Sequence, residues 1–211
     1  IREIEAGSCG FDLAKDIGPG LAKAAVAIDI NGEQRDLFDP INEDANVSII
    51  TINSEEGLEI MRHTLTAQVL ARAIKTIYPD SQLAIGPTIK DGFYYDFKTN
   101  KTVSIDSLHD IEKEMKKIID SKSNITKKLF SRKDALKVFN DNKEPYKKLI
   151  IEDSDQKNDF QLYFQDDNQF ADLCRGPHLP NLSFIGSFKL TRVSGAYWKG
   201  DSNNEMLTRI Y

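Results

Sequence analysis

The chain has 211 residues, 40% of them hydrophobic and 29% charged, with a formal net charge of −5. That composition belongs to a globular chain with enough core for one large domain or two modest ones, and it excludes a disordered or collagen-like polymer. No apolar run approaches the roughly 18 residues of a membrane-spanning helix, so no membrane partner is expected.

Two cysteines, Cys9 and Cys174, lie far apart without framework spacing, which fits a reducing cytoplasm better than a disulfide scaffold. The charge is uneven. Residues 1–62 hold 13 acids against 5 bases, a net of −8, and the remainder holds 20 against 23, a net of +3. A polyanionic partner is expected to dock on the second part. The start, "IREIEAGSCG", has neither an initiator Met nor a basic-then-apolar leader, and reads as the cut end of a longer protein.

In chain order, "FDLAKDI" predicts a helical turn stopped at Gly18-Pro19-Gly20. "AVAIDI" then predicts a strand, Asn31-Gly32 a type I′ hairpin turn, and "EQRDLF" and "NVSIITI" further β segments. Ser54 offers an N-cap, with Glu55 and Glu56 at the positive helix end. The helix it opens should run through "RHTLTAQVLARA" to Tyr78, with Pro79 ending it. "LAIGPTIKDGFYYDF" reads as two short strands around Gly86-Pro87 with a turn at Asp91-Gly92.

Asp106 is the expected cap of a helix whose Leu108, Ile111, Met115, Ile118 and Ile119 share one face. Ser131 with Asp134 resembles a capping box. The basic run at residues 113–133 reads as a solvated helix face and a loop. Beyond Tyr146 short strands and turns are expected: "KKLIIED", "FQLYF", "FADLCRGPHLP", "FIGSFKLTRV" and "GAYWKGD". The polar "EDSDQKNDFQ" reads as an exposed loop.

Candidate chemistry gathers in the second unit. "DLCRGPH" places Asp172, Cys174 and His178 within seven residues, and Gly176-Pro177 forces a turn that lets Cys and His converge. Such a pair can hold a metal, or act as nucleophile and base; a buried structural Cys beside a surface His is the plain alternative. His63 alone is a weaker signal, since a single His near a helix start is more often a hydrogen-bonded structural residue, and Cys9 is given no role.

Longer blocks add to this reading. "DIGPGLAKAAVAIDINGE", "EEGLEIMRH", "LAIGPTIKDGFYYDF", "DLCRGPHLP" and "GAYWKGDSNNEMLTRIY" together resemble the N-terminal part of the bacterial threonyl-tRNA synthetase family, over essentially the whole chain. The resemblance implies an α+β architecture. Residues 1–53 would form a small β-grasp (ubiquitin-like) TGS domain with its first strand cut short. Residues 54–211 would form a larger α+β editing domain of the threonyl/alanyl-tRNA synthetase type.

The activity implied is proofreading, the hydrolysis of serine from mischarged threonine tRNA. Serine lacks one methyl of threonine, worth ~0.8 kcal/mol of burial. A synthetic pocket shaped for the larger side chain therefore discriminates only ~10–200-fold. A second, tighter pocket reverses the sieve. The implied partner is tRNA(Thr), above all its 3′ aminoacyl-adenosine end. The fragment is expected to be monomeric, and the full enzyme a homodimer through domains beyond it.

Carried over by position, the resemblance places the editing site on His63, Gln68, Lys147, Asp172, Cys174 and His178, with Thr64, Gly86, Pro87 and Tyr95 binding substrate. Lys147 would lie near the terminal ribose or orient the water, and Asp172 would recognise the serine ammonium group or hold a partner's tautomer. Cys174 would be a pocket wall that positions water, and His178 a general base. No cofactor is expected here, since ATP and the synthetic site's zinc belong to the absent aminoacylation domain. The editing site is expected to work without a metal.

The helix "RHTLTAQVLARA" departs from the family's His-x-x-x-His. Read forward from "EEGLEIMRH", His63 takes the first place and Ala67 the second; read back from "AQVLARAI", the places fall on Thr64 and Gln68. The registers differ by one residue, as after an insertion. His63 and Gln68 can share a pocket only if the helix starts after His63 or holds a π-bulge. A weakened or silent tRNA-binding module of the same fold is the alternative function.

Overall fold

The computed structural model describes residues 1–166 and 170–211. The first domain opens with α1 (Gly10–Ile17) and α2 (Pro19–Ala24), separated at Gly18. Three antiparallel strands follow, β1 (Ala25–Ile30), β2 (Glu33–Asp36) and β3 (Val47–Thr51), in the order β2-β1-β3. Asn31 (φ 54°) and Gly32 (φ 89°) make the tight turn between β1 and β2, as the Asn-Gly pair demands. The helices cover one face of the sheet, burying Ala14, Ile28, Ile30 and Leu37 together. Cys9 precedes α1, its thiol 3.1 Å from the Asp12 carboxylate.

The second domain starts with α3 (Glu55–Thr64), where the Ser54 hydroxyl accepts the Gly57 N–H. Residues Leu65–Leu70 are one π-helical turn, and α4 (Ala71–Ile77) completes the rod. At the junction the Ala71 N–H donates to the Thr66 carbonyl, five residues back. A π-bulge, one of the two devices that could have let His63 and Gln68 share a pocket, is therefore present.

Short strands β4 (Gln82–Leu83), β5 (Thr88–Ile89), β6 (Gly92–Phe93) and β7 (Tyr95–Lys98) take the place of the two strands expected around Gly86-Pro87. Next come α5 (Ser107–Asp120), β8 (Ile125–Phe130), α6 (Arg132–Asp141) and α7 (Pro145–Glu152). The remaining strands are β9 (Phe160–Gln165), β10 (Ala171–Leu173), β11 (Val193–Tyr197) and β12 (Met206–Ile210). They build an antiparallel sheet β11-β12-β7-β4 and a second sheet β10-β9-β8.

The core lies between the α3–α4 rod, α5 and the first of these sheets. Leu70, Ile74, Tyr95, Phe97, Ile111 and Met115 are all fully buried in it. Each such side chain contributes about 1.5–3 kcal/mol.

Four local expectations are corrected. "KKLIIED" is helical, not a strand: Pro145 suits the first helical turn, and Ile151 packs against Phe139 and Leu162, so tertiary burial overrides its β-branched residues. "FIGSFKLTRV" is largely irregular; the Leu190 N–H is bound instead by the buried Glu112 carboxylate at 2.8 Å. Asp106 has helical φ/ψ and makes no side-chain cap, while the Ser107 hydroxyl accepts the Ser104 N–H. The end of the basic run, expected as a loop, is strand β8.

The domains share a hydrophobic seam. Val26, Ala27 and Ile50 of the first pack with Ile60 of α3 and Leu179, which follows His178. Polar contacts flank it, the Lys127 ammonium reaching Asp36 at 2.9 Å and Asp39 at 2.5 Å.

Candidate active site

A cavity of about 880 Å³ opens between the α3–α4 rod, the Gly86-Pro87 turn, α7 and β10. Its volume is that of a small-molecule site. His63, at the end of α3, lines it beside Cys174, with Nε2 and Sγ 2.6 Å apart. Burial lowers the His63 imidazole to about 4 and raises the Cys174 thiol to about 12. At neutral pH both are therefore uncharged, with a single proton available between Nε2 and Sγ.

His178 lies behind this pair. Its ring stacks on His63 at 4.6 Å and 5°, and it is fully buried. The Thr64 hydroxyl fixes its tautomer. That hydroxyl donates to the Ile60 carbonyl at 2.9 Å and accepts the Leu179 N–H at 3.0 Å. The 3.1 Å contact with His178 Nδ1 is then satisfied by Nδ1–H donating. Nε2 keeps its lone pair, with no hydrogen-bond partner among the described residues. Burial first, and the neighbouring His63 second, hold His178 well below its ordinary value.

The other chemical pair is Lys147 of α7 with Asp172 of β10. The Lys147 ammonium lies 2.5 Å from Asp172 Oδ1, and both side chains are nearly inaccessible. Oδ1 also accepts the Leu173 N–H at 2.8 Å, and the Tyr95 hydroxyl lies 3.5 Å from Oδ2. Burial holds the Asp172 carboxyl above its ordinary value even beside the ammonium. It likewise raises the Tyr95 phenol.

Of the residues singled out in the sequence, His63, Gly86, Pro87, Lys147, Asp172 and Cys174 line the cavity. Thr64, Gln68, Tyr95 and His178 form the layer behind it. Despite the π turn, Gln68 does not join His63 at the cavity, whose residues from this rod are His63 and Ala67. Gln68 is fully buried, its carbonyl accepting the Gln165 amide at 2.8 Å. Tyr95 lies directly beneath Gly86, where a Cβ would come within 2.2 Å of its ring.

Sequence reasoning missed the cavity rim, which includes Asp153, Gln156, Arg175 and Lys199, with Lys199 paired to Asp153 at 2.5 Å. It also missed Tyr163, whose ring meets His178 edge-on at 4.4 Å and 79°. Inside "FQLYF" that tyrosine reads only as strand core.

Gly176 holds the loop between Cys174 and His178 at φ +67°, and a Cβ there would lie 2.0 Å from the Tyr163 hydroxyl. Gly176→Ala is expected to cost about 2–4 kcal/mol of stability in urea unfolding, from left-handed strain and overpacking together. In a Tyr163→Phe background the same substitution should cost less. Simple additivity of the two changes would remove the hydroxyl as the cause.

His63, Cys174 and His178 are also the potential metal ligands, their donor atoms all within 4.8 Å of one another. A tetrahedral zinc with bonds of about 2.3 Å to sulfur and 2.0 Å to nitrogen separates its S and N ligands by roughly 3.5 Å. The His63–Cys174 separation of 2.6 Å is shorter than the spacing two ligands of one such zinc keep.

Comparison with known proteins agrees with this architecture. Residues 1–51 match the TGS domain, and residues 161–211 match the threonyl and alanyl tRNA synthetase second additional domain. The chain is 47% identical over 210 residues to a threonine–tRNA ligase of Ehrlichia chaffeensis, covering 100% of the chain and 33% of that protein. It is 47% identical over 211 residues to that of Francisella philomiragia and 48% identical over 213 residues to that of Paramagnetospirillum magneticum, again covering 100% of the chain and 33% of each relative. The chain thus spans about a third of the length of the curated relatives it matches. No helix among the described residues is long and apolar enough to cross a membrane. Two domain matches in the expected order, and near-half identity along its full length, place the chain in the threonyl-tRNA synthetase family, as the N-terminal region that joins a TGS domain to an editing-type domain.

Proposed function

We propose that this chain hydrolyses the ester joining serine to the 3′-terminal adenosine of threonine tRNA. One observation carries the reading: a single cavity brings a buried ammonium–carboxylate pair, Lys147–Asp172, to the same wall as the neutral His63–Cys174 pair. An ester needs a placed water and a donor for its developing oxyanion, with little covalent help from the protein. Lys147 supplies the donor, to the oxyanion or to the ribose hydroxyl that leaves. Asp172 holds that ammonium and offers its second oxygen toward the serine ammonium group.

His63 orients the water. With its basicity so reduced it is a weak proton acceptor, which leaves a role in proton transfer to the substrate's own ribose hydroxyl. Ala67 stands where the family pattern has a second histidine, so this site has fewer groups with which to activate water. Rejection of threonine is steric: a cavity wall closed against the extra methyl excludes it, whereas merely losing a methyl contact discriminates weakly.

The site operates without a metal in this proposal. Aminoacylation with ATP, dimerisation and the synthetic zinc site would belong to the remaining two-thirds of such a ligase, working in the cytoplasm on tRNA(Thr).

Single-turnover release of serine from seryl-tRNA(Thr) tests the reading. Serine should leave faster than in buffer and faster than threonine from threonyl-tRNA(Thr), and His63→Ala should slow it by ~10²-fold. Elemental analysis should find no stoichiometric zinc; one equivalent would overturn the metal-free site. Serine release at the buffer rate with tRNA still bound would leave a binding module with a silent pocket.

A further inference from the structure

We propose that Asp36, the last residue of β2 in the TGS domain, is a positioning residue for the editing-type cavity of the second domain. The inference rests on the hydrolytic reading for its kinetic arm only. Asp36 uses both carboxylate oxygens across the domain boundary. Oδ1 accepts the backbone N–H of His178 at 2.9 Å, from a residue 142 positions later in the chain. Oδ2 accepts the Tyr163 hydroxyl at 2.8 Å and the Lys127 ammonium at 2.9 Å.

These three donors belong to the frame of the site. Asp172 pairs with Tyr163 across β10–β9, and Tyr163 pairs with Lys127 across β9–β8. Directly opposed residues of a sheet share a face, so Asp172, Tyr163 and Lys127 form one row running from the cavity to the TGS domain. Asp36 closes that row at its far end and pins the loop Cys174–His178 above it.

The same loop is packed against the frame of the site. The Tyr163 hydroxyl occupies the space a Cβ at Gly176 would need. The Tyr163 ring abuts His178, and His178 stacks on His63. Leu179 is sealed against Val26 and Ala27 of β1. A displaced Asp36 therefore moves His178, and through it the His63–Cys174 contact on the cavity wall. The neighbouring Asp39 is the natural control. Its carboxylate takes the same Lys127 at 2.5 Å, yet among the described residues it makes no hydrogen bond to the Cys174–His178 loop.

An amide at position 36 offers one acceptor oxygen to three donors, with little change in volume. The test compares Asp36→Asn with Asp39→Asn, each in a Cys9→Ser chain. Alkylation of Cys174 by iodoacetamide and the kinetics of serine release are followed together, with a thermal melt of each variant.

Asp36→Asn should raise Cys174 alkylation about tenfold and lower kcat about tenfold or more with KM little changed, since small misplacements of reacting groups are costly. Asp39→Asn should leave both near the parent's values, although it loosens the same domain interface and lowers the melting temperature comparably. Equal alkylation rates in the two variants would overturn the positioning role and leave Asp36 as an ordinary interface contact. If the parent releases no serine, the hydrolytic reading fails, and the alkylation comparison still decides the role of Asp36.

Discussion

Replacing Lys147 by methionine is expected to destabilise the chain by about 3–5 kcal/mol and to slow serine release by at least ~10²-fold. Lys147 and Asp172 are both almost fully buried, with Nζ and Oδ1 2.5 Å apart. Removing the ammonium leaves a carboxylate among Tyr95, Leu173 and the cavity wall with only one backbone N–H and a long phenol contact. Breaking a buried pair at one side is far more damaging than removing both charges. Lys147→Met with Asp172→Asn should accordingly recover much of the stability in urea unfolding while staying inactive. A double variant no more stable than Lys147→Met would show that packing around α7, rather than the orphaned charge, causes the loss.

Stability is expected to fall steeply as the pH drops from about 6.5 toward 4. His63 has a folded-state value of about 4 against an ordinary 6.5, because burial disfavours the imidazolium. His178 is shifted in the same direction by burial and by His63 itself. Between those values the unfolded chain binds a proton at each ring and the folded chain does not. The folded state therefore loses about 1.4 kcal/mol per pH unit for each imidazole, beginning below pH 6.5. Asp172 and Glu144, raised by burial, act in the opposite sense near the acid end and flatten the curve there. Urea midpoints measured from pH 7.5 to 4.5 should show the decline, and His178→Gln should reduce its slope. A flat profile across pH 6.5–5 would mean that neither imidazole is buried in the neutral form.

Much of the fold was legible because its signals are local. Asn31-Gly32 permits one tight turn, Ser54 caps one helix, and the spacing of Leu108, Ile111, Met115 and Ile118 admits one buried face. "KKLIIED" misled for the opposite reason. Ile150 and Ile151 favour a strand in isolation, yet α7 is helical because Ile151 enters the core beside Phe139 and Leu162.

The site divides in the same way. The block "DLCRGPH" pointed to the cavity from its own residues, since the turn at Gly176-Pro177 is written in them, whereas the lysine of "PYKK" came only through the family resemblance. Whether His63, Thr64 or Gln68 faces the cavity was not legible. A shift of one residue in a helix turns a side chain by about 100°, and only the packing of the whole rod resolves the register.

By itself the sequence determined the mixed helix-and-strand class and the chemical groups available, through periodicity and turn residues, and its long matching blocks pointed to the family and to a TGS segment ahead of an editing-type one. Only the tertiary structure decided that Ala67 and not Gln68 stands beside His63, that His178 is a buried support, and that Asp36 braces the site from the other domain. The reason is one of range. Hydrogen bonds such as that between Asp36 and His178 join residues with no sequence relation, and burial sets the charge of an imidazole only once the chain has closed around it.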